Sequence, residues 1–278
     1  MRRDIRSFKL LIALFLMLGL SACSSSEKKK ANVVETAPVE TLYERATNAM
    51  NDERYVEATK YFEEVERQHP YSKWSTRAQL MAAYASYLDQ RYDEAVVALD
   101  RYIQLHPGAE DVDYAYYLKA MSFYEQISDV RRDQNMTIQA VKALNTLIGR
   151  FPNSEYARDA MLKRDLTLDH LAGKEMEIGR YYLNRGHVNA AINRFRSVVA
   201  NFQTTSHVAE ALHRLVEAYM TLGLKGEAYQ VAAVLGHNYP GSKWYERSYA
   251  LLDDEQRKQI IDERGIIERT MDSLLKPD

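Results

Sequence analysis

The chain is 278 residues long, 46% hydrophobic and 27% charged, with a formal net charge of −2. That balance allows a folded core and excludes both the basic excess of a nucleic-acid binder and the composition of a disordered chain. The single cysteine, Cys23, excludes intramolecular disulfides and cysteine-built metal sites.

The first 22 residues place Arg2, Arg3, Arg6 and Lys9 ahead of an apolar run from Leu10 to Leu20, followed by Ser21-Ala22-Cys23. A basic start, a short apolar core and small residues describe a secretory leader, since a spanning helix needs about 20 apolar residues. Leu20-Ser21-Ala22-Cys23 resembles the lipobox of bacterial lipoproteins, in which the cysteine is acylated and becomes the mature N-terminus. The resemblance implies a lipid on Cys23. Because Ser24 rather than aspartate follows, it also implies anchoring at the periplasmic face of the outer membrane. Removing the leader takes away those four basic residues and one acid, Asp4, so the net charge moves from −2 to −5. Residues 23–38, rich in Ser, Lys and Glu, read as a flexible tether.

Residues 39–245 repeat. Alanines 58, 95, 140, 191 and 228 are each followed eleven residues later by His69, His106, Phe151, Phe202 and Tyr239, and all but Phe202 precede a proline. Four residues beyond the alanines stand Phe62, Leu99, Leu144, Phe195 and Ala232, and seven beyond stand Val65, Tyr102, Leu147, Val198 and Leu235. Offsets of four and seven share one helix face, a small residue admits a neighbouring helix, and a following proline stops the helix. Each unit therefore reads as one helical hairpin, and five units as a stacked array. Ser72, Ser154 and Ser242, two residues past a proline, are placed to cap the next helix.

The alanine spacings are 37, 45, 51 and 37 residues. The 51 predicts a long helix across 154–184, and the 45 an exposed loop at 128–135 inside the third unit. Residues 246–278 read as a C-terminal amphipathic helical extension, with Ile260, Ile267, Met271 and Leu274 at helical spacing beside Ile261 and Leu275. It either caps the last unit or binds a partner.

No histidine pair stands four apart on a helix, and neither a glycine-rich phosphate loop nor a Gly-x-Ser-x-Gly elbow occurs. The expectation is a non-enzyme with no catalytic residue, no metal and no cofactor beyond the covalent lipid. Twenty tyrosines are the unusual component. Tyr43, Tyr84, Tyr87, Tyr117 and Tyr124 fall on or near the first-helix side of the units, where ring area and hydroxyls suit an extended peptide.

The pattern Tyr-x-x-Ala-x-x-x-(Phe/Leu) with a terminal proline resembles the tetratricopeptide repeat, whose usual period is about 34 residues. The implied fold is an all-α superhelical solenoid of five helical-hairpin repeats. Ordered local strings narrow the resemblance: Asp100-Arg101-Tyr102-Ile103 with Leu105 and Pro107, Asp113-Tyr114, Arg131-Arg132-Asp133, and Phe151-Pro152-Asn153-Ser154 with Tyr156. Tyr181-Tyr182 with Arg185-Gly186, and Asn193-Arg194, complete the set. With the lipobox, they resemble the BamD family, outer-membrane lipoproteins of the β-barrel assembly machinery. What the resemblance implies is a scaffold for inserting barrel proteins into the outer membrane, working beside other Bam lipoproteins. Its C-terminal half would bind the periplasmic POTRA region of BamA, with Arg185 and Arg194 at the contact, and its N-terminal half the C-terminal signals of unfolded outer-membrane proteins. The alternative is another outer-membrane tetratricopeptide lipoprotein, a secretin pilotin or a factor of the Tol/peptidoglycan coordination system.

Overall fold

The computed structural model describes residues 37–252 together with residues 270, 271, 274 and 275. The leader, Cys23, the tether up to residue 36, and Ile260, Ile261 and Ile267 lie outside the described residues. From Val39 onward the chain is all helical where described: α1 (Val39–Asn51), α2 (Tyr55–Gln68), α3 (Lys73–Leu88), α4 (Tyr92–Leu105), α5 (Val112–Tyr124) and α6 (Asn135–Arg150). Then come α7 (Glu155–Asn184), α8 (Val188–Asn201), α9 (Val208–Thr221), α10 (Lys225–Asn238) and α11 (Lys243–Leu251). Consecutive pairs form five antiparallel hairpins, each packed on the next, and the first helices α1, α3, α5 and α7 also touch in series.

All five repeating alanines are fully buried, each on the second helix of its hairpin, and the positions four and seven residues later are buried with them. The residue eleven beyond is in every unit the C-cap: His69, His106, Phe151, Phe202 and Tyr239. Each keeps φ between −129° and −135° and gives its backbone N–H to the carbonyl of Val65, Tyr102, Leu147, Val198 or Leu235. Extended φ is what a residue before proline prefers. Phe202 precedes Gln203 and adopts the same geometry, and its partly buried ring, packed against the core, helps fix the turn where the proline is absent.

Ser72, Ser154 and Ser242 are N-caps, accepting hydrogen bonds from the backbone N–H of Ser75, Tyr156 and Tyr245 at 3.1–3.2 Å. Ser154 also donates to Asp113 Oδ2 at 2.6 Å, tying the fourth unit's entrance to α5. The long helix is present as α7, 30 residues, about 45 Å at 1.5 Å per residue. The expected loop lies between α5 and α6 and leans on α7. Arg131 Nε donates to Glu177 at 2.9 Å, and Lys174 Nζ donates to the Arg131 carbonyl at 2.9 Å. The two enlarged units thus brace each other. Gly179 of α7 lies where the ring of Phe195 from α8 presses closest, with a built Cβ only 2.4 Å from the ring. A glycine that lowers helix propensity here permits close helix approach.

At the C-terminal end α11 covers both α9 and α10. His213 of α9 is buried; its Nδ1 lies 2.8 Å from Ser248 Oγ on α11 and its Nε2 lies 3.4 Å from Glu217. Burial holds the His213 pKa below the usual imidazole value, against the opposing pull of Glu217. Leu252 and Leu274 join the buried cluster of α9 and α10, and Met271 packs against it. These contacts favour the capping role for the tail. Truncation after Leu252 should cost about 2–4 kcal/mol, the burial of one leucine plus part of a methionine, read as a lower Tm. An unchanged Tm with loss of a binding partner would instead make the tail a docking element.

Candidate protein-binding surfaces

Side-by-side first helices bring together tyrosines that are far apart in sequence. Tyr84 of α3 meets Tyr114 of α5 at 6.3 Å between ring centroids, and Tyr114 meets Tyr156 of α7 at 5.3 Å. Tyr156 stacks on Tyr117 at 5.0 Å and 24°. The result is a ring ladder across three consecutive units. Tyr87 pairs with Tyr92 of α4 at 5.6 Å. Tyr43 forms a separate group with Phe62 and Trp74, at 5.4 and 4.7 Å. Tyr124 lies under the Lys163 ammonium, 5.2 Å from its ring centre. The five tyrosines expected from sequence therefore divide among neighbouring clusters. Tyr114, Tyr156 and Trp74 join these clusters as members beyond the five expected at the groove.

The tyrosine rings are half-buried, so each offers an edge to a ligand while being held by its neighbours. Tyr117 donates its hydroxyl to Asp159 Oδ2 at 2.7 Å. Burial first, then nearby carboxylate charge, pushes the Tyr87 hydroxyl up to about 12; burial likewise raises Tyr114 and, with the Asp159 bond, Tyr117. The hydroxyls stay neutral at physiological pH. They are hydrogen-bonding groups on an apolar wall, suited to binding.

The arginines lie in the fourth hairpin. Arg185 is the C-cap of α7: its backbone N–H bonds the Tyr181 and Tyr182 carbonyls, and its guanidinium sits 5.1 Å over the Tyr181 ring. Gly186 follows at φ +76°, the left-handed residue that ends the helix. Arg194, three residues beyond the buried Ala191, lies on the flank of the α8 stripe, and its Nη1 donates to both oxygens of Glu175 on α7, at 3.3 and 3.1 Å. Its side chain is 43% exposed. A pairing nineteen residues apart is not visible in the spacing.

Among the described residues no helix is long and apolar enough to cross a membrane. A stack of helical hairpins with an aromatic face and exposed turns is a repeat scaffold of the class that binds other proteins along its surfaces. The chain belongs to the YfiO family, outer membrane lipoprotein, whose family model matches residues 35–235. It is 47% identical to the outer membrane protein assembly factor BamD of Caulobacter vibrioides, over 96% of this chain and 88% of that protein. Against the BamD of Rickettsia prowazekii identity is 47%, over 89% of this chain and 98% of that one. With the BamD of Neisseria meningitidis serogroup A it is 35%, over 87% and 95%.

Proposed function

We propose that this chain is a non-catalytic outer membrane protein assembly factor, held to the periplasmic face of the outer membrane by a lipid on Cys23. The observation that carries the reading is identity of 47% across 96% of the chain to an assembly factor of that name. The hairpin array and its tyrosine ladder support the scaffold part. In this reading the groove of units one to three, with Tyr43, Tyr84, Tyr87, Tyr117 and Tyr124 and with Tyr156 of unit four closing the ladder, receives the aromatic-ended C-terminal segments of unfolded barrel proteins. The C-terminal half, through Arg185 and Arg194 of the fourth unit, engages the POTRA region of BamA, and other Bam lipoproteins complete the assembly.

Photo-crosslinkers at Tyr84, Tyr87 and Tyr117 should capture barrel-protein C-termini, because rigid ring edges give contact area at low entropic cost. A crosslinker at Val97, 71% exposed on α4, serves as the comparison outside the ladder. Equal capture at Val97 would reduce the tyrosines to packing. Cys23→Ala should leave uncleaved or soluble protein, and lipid-free wild-type protein in the soluble fraction would overturn the anchor.

A further inference from the structure

Of the seven histidines only His213 is buried, and it stands where the last described helix meets the array. α11 is nine residues long and packs on α9 and α10. Its Ser248, with no exposure, faces His213 across the contact with α9, Oγ 2.8 Å from Nδ1. The imidazole also lies against the Trp244 ring of α11, 5.2 Å between centroids at 32°. With the imidazole neutral, Nδ1 accepts from the Ser248 hydroxyl and Nε2 faces Glu217.

The charges around this contact are set against a second proton. Three cations already surround the Trp244 ring: Arg214 of α9 at 5.6 Å, and Lys243 and Arg247 of α11 at 5.0 and 5.1 Å. The acids that act on His213 are Glu217 and Glu210 of α9, and both are engaged. Glu217 pairs with Arg214 at 2.8 Å, and Glu210 with Arg180 of α7 at 3.1 Å. On α10 Lys225, Glu227 and His237 are exposed, and the described tail residues Thr270, Met271, Leu274 and Leu275 carry no charge. Protonation therefore adds a fourth positive charge, out of water, beside acids that are already paired.

We propose that His213 is an acid-sensitive latch, whose protonation releases α11 from α9 and uncovers the second buried face of α10 while the preceding hairpins stay packed. The opening is local because each element of a stacked array touches only its neighbours, and a short terminal helix is the least costly to lift away. Burial first, with Arg214 and Arg247 adding to it against Glu217 and Glu210, keeps the His213 pKa below the usual 6.5. A depressed histidine stabilises fully above its unfolded-state value, and that contribution is lost as the pH falls through the folded-state value. The latch thus holds near neutral pH and loosens in mild acid.

The test is hydrogen–deuterium exchange of the mature chain at about pH 7.5 and about pH 5, resolved by peptide and corrected for the intrinsic effect of pH. Amides of α11 should lose protection about tenfold in acid, the equivalent of one pKa unit, and those of α3 to α6 should be unchanged. His213→Gln, which keeps a polar group and cannot titrate, should abolish the acid effect. Arg247→Gln, at an exposed position, should shrink it by removing one opposing cation, and it decides the matter if His213→Gln does not fold. Equal protection of α11 at both pH values, equal loosening of every helix, or an acid effect undiminished in the deciding variant would overturn the latch.

Discussion

Gly179→Ala should destabilise the chain by about 3 kcal/mol, the upper part of the range for overpacking a core. The added methyl would lie 2.4, 2.8 and 2.9 Å from three carbons of the Phe195 ring. Phe195 is fully buried in the cluster shared by α7, α8, α9 and α10, so its ring has no solvent side to retreat to. Helix propensity acts in the other direction, favouring alanine by about 1 kcal/mol. The clash outweighs that preference and sets the sign. For a chain of this size the expected loss of Tm is roughly 6–12 °C. Gly149→Ala is the internal control: it lies in α6 with no atom within 4 Å of the new methyl, so it should be neutral or stabilising. If Gly179→Ala melts with or above the wild type, close approach of α7 and α8 is not what the glycine provides. Adding Phe195→Leu to Gly179→Ala should recover part of the loss, since a smaller side chain relieves the same contact.

The hairpins were legible from sequence because their signals are local. The buried stripe of each second helix, its aromatic or histidine C-cap and the serine N-caps all fall within about twenty residues, the range over which periodicity and capping act. Both enlarged units were legible too, because spacing alone separates 51 from 37. The last unit matches the pattern least, with Lys225 and Ala232 at its positions, and the structure gives the cause. α10 is buried at Tyr229, Val231, Ala233 and Val234 as well as on its stripe, because α11 covers a second face. A helix covered on two sides has no strong one-sided pattern to show. The binding faces were legible only in part. Tyr84, Tyr87 and Tyr117 follow from their place on first helices, but the ladder closes through Tyr114 and Tyr156, whose partners sit in adjacent units. Contacts between units depend on stacking geometry, which no single repeat encodes. The same holds for Glu177 against Arg131, while Glu175 and Arg194 meet across the two helices of one hairpin, too far apart in sequence for periodicity to pair them.

Arg194→Glu should weaken binding to the POTRA region by about 2–5 kcal/mol if the arginine meets a carboxylate in a desolvated contact. The structure adds a competitor to that contact, because Arg194 is already held by Glu175 on α7. A partner carboxylate must share or displace Glu175, so the net gain from the contact is smaller than for an unpaired arginine. The pair itself is part exposed and contributes at most about 1 kcal/mol to folding, so the single variant should stay folded with a slightly lower Tm. Reversing both charges, Arg194→Glu with Glu175→Arg, separates the two roles. It restores an ion pair between α7 and α8, and the Tm should return to near the wild-type value. The cation, however, now stands on the other helix. If Arg194 touches the partner, binding stays weak in the doubly reversed chain despite its recovered stability. Recovery of binding together with Tm would instead make Arg194 a brace between α7 and α8, and the contact would then fall to Arg185.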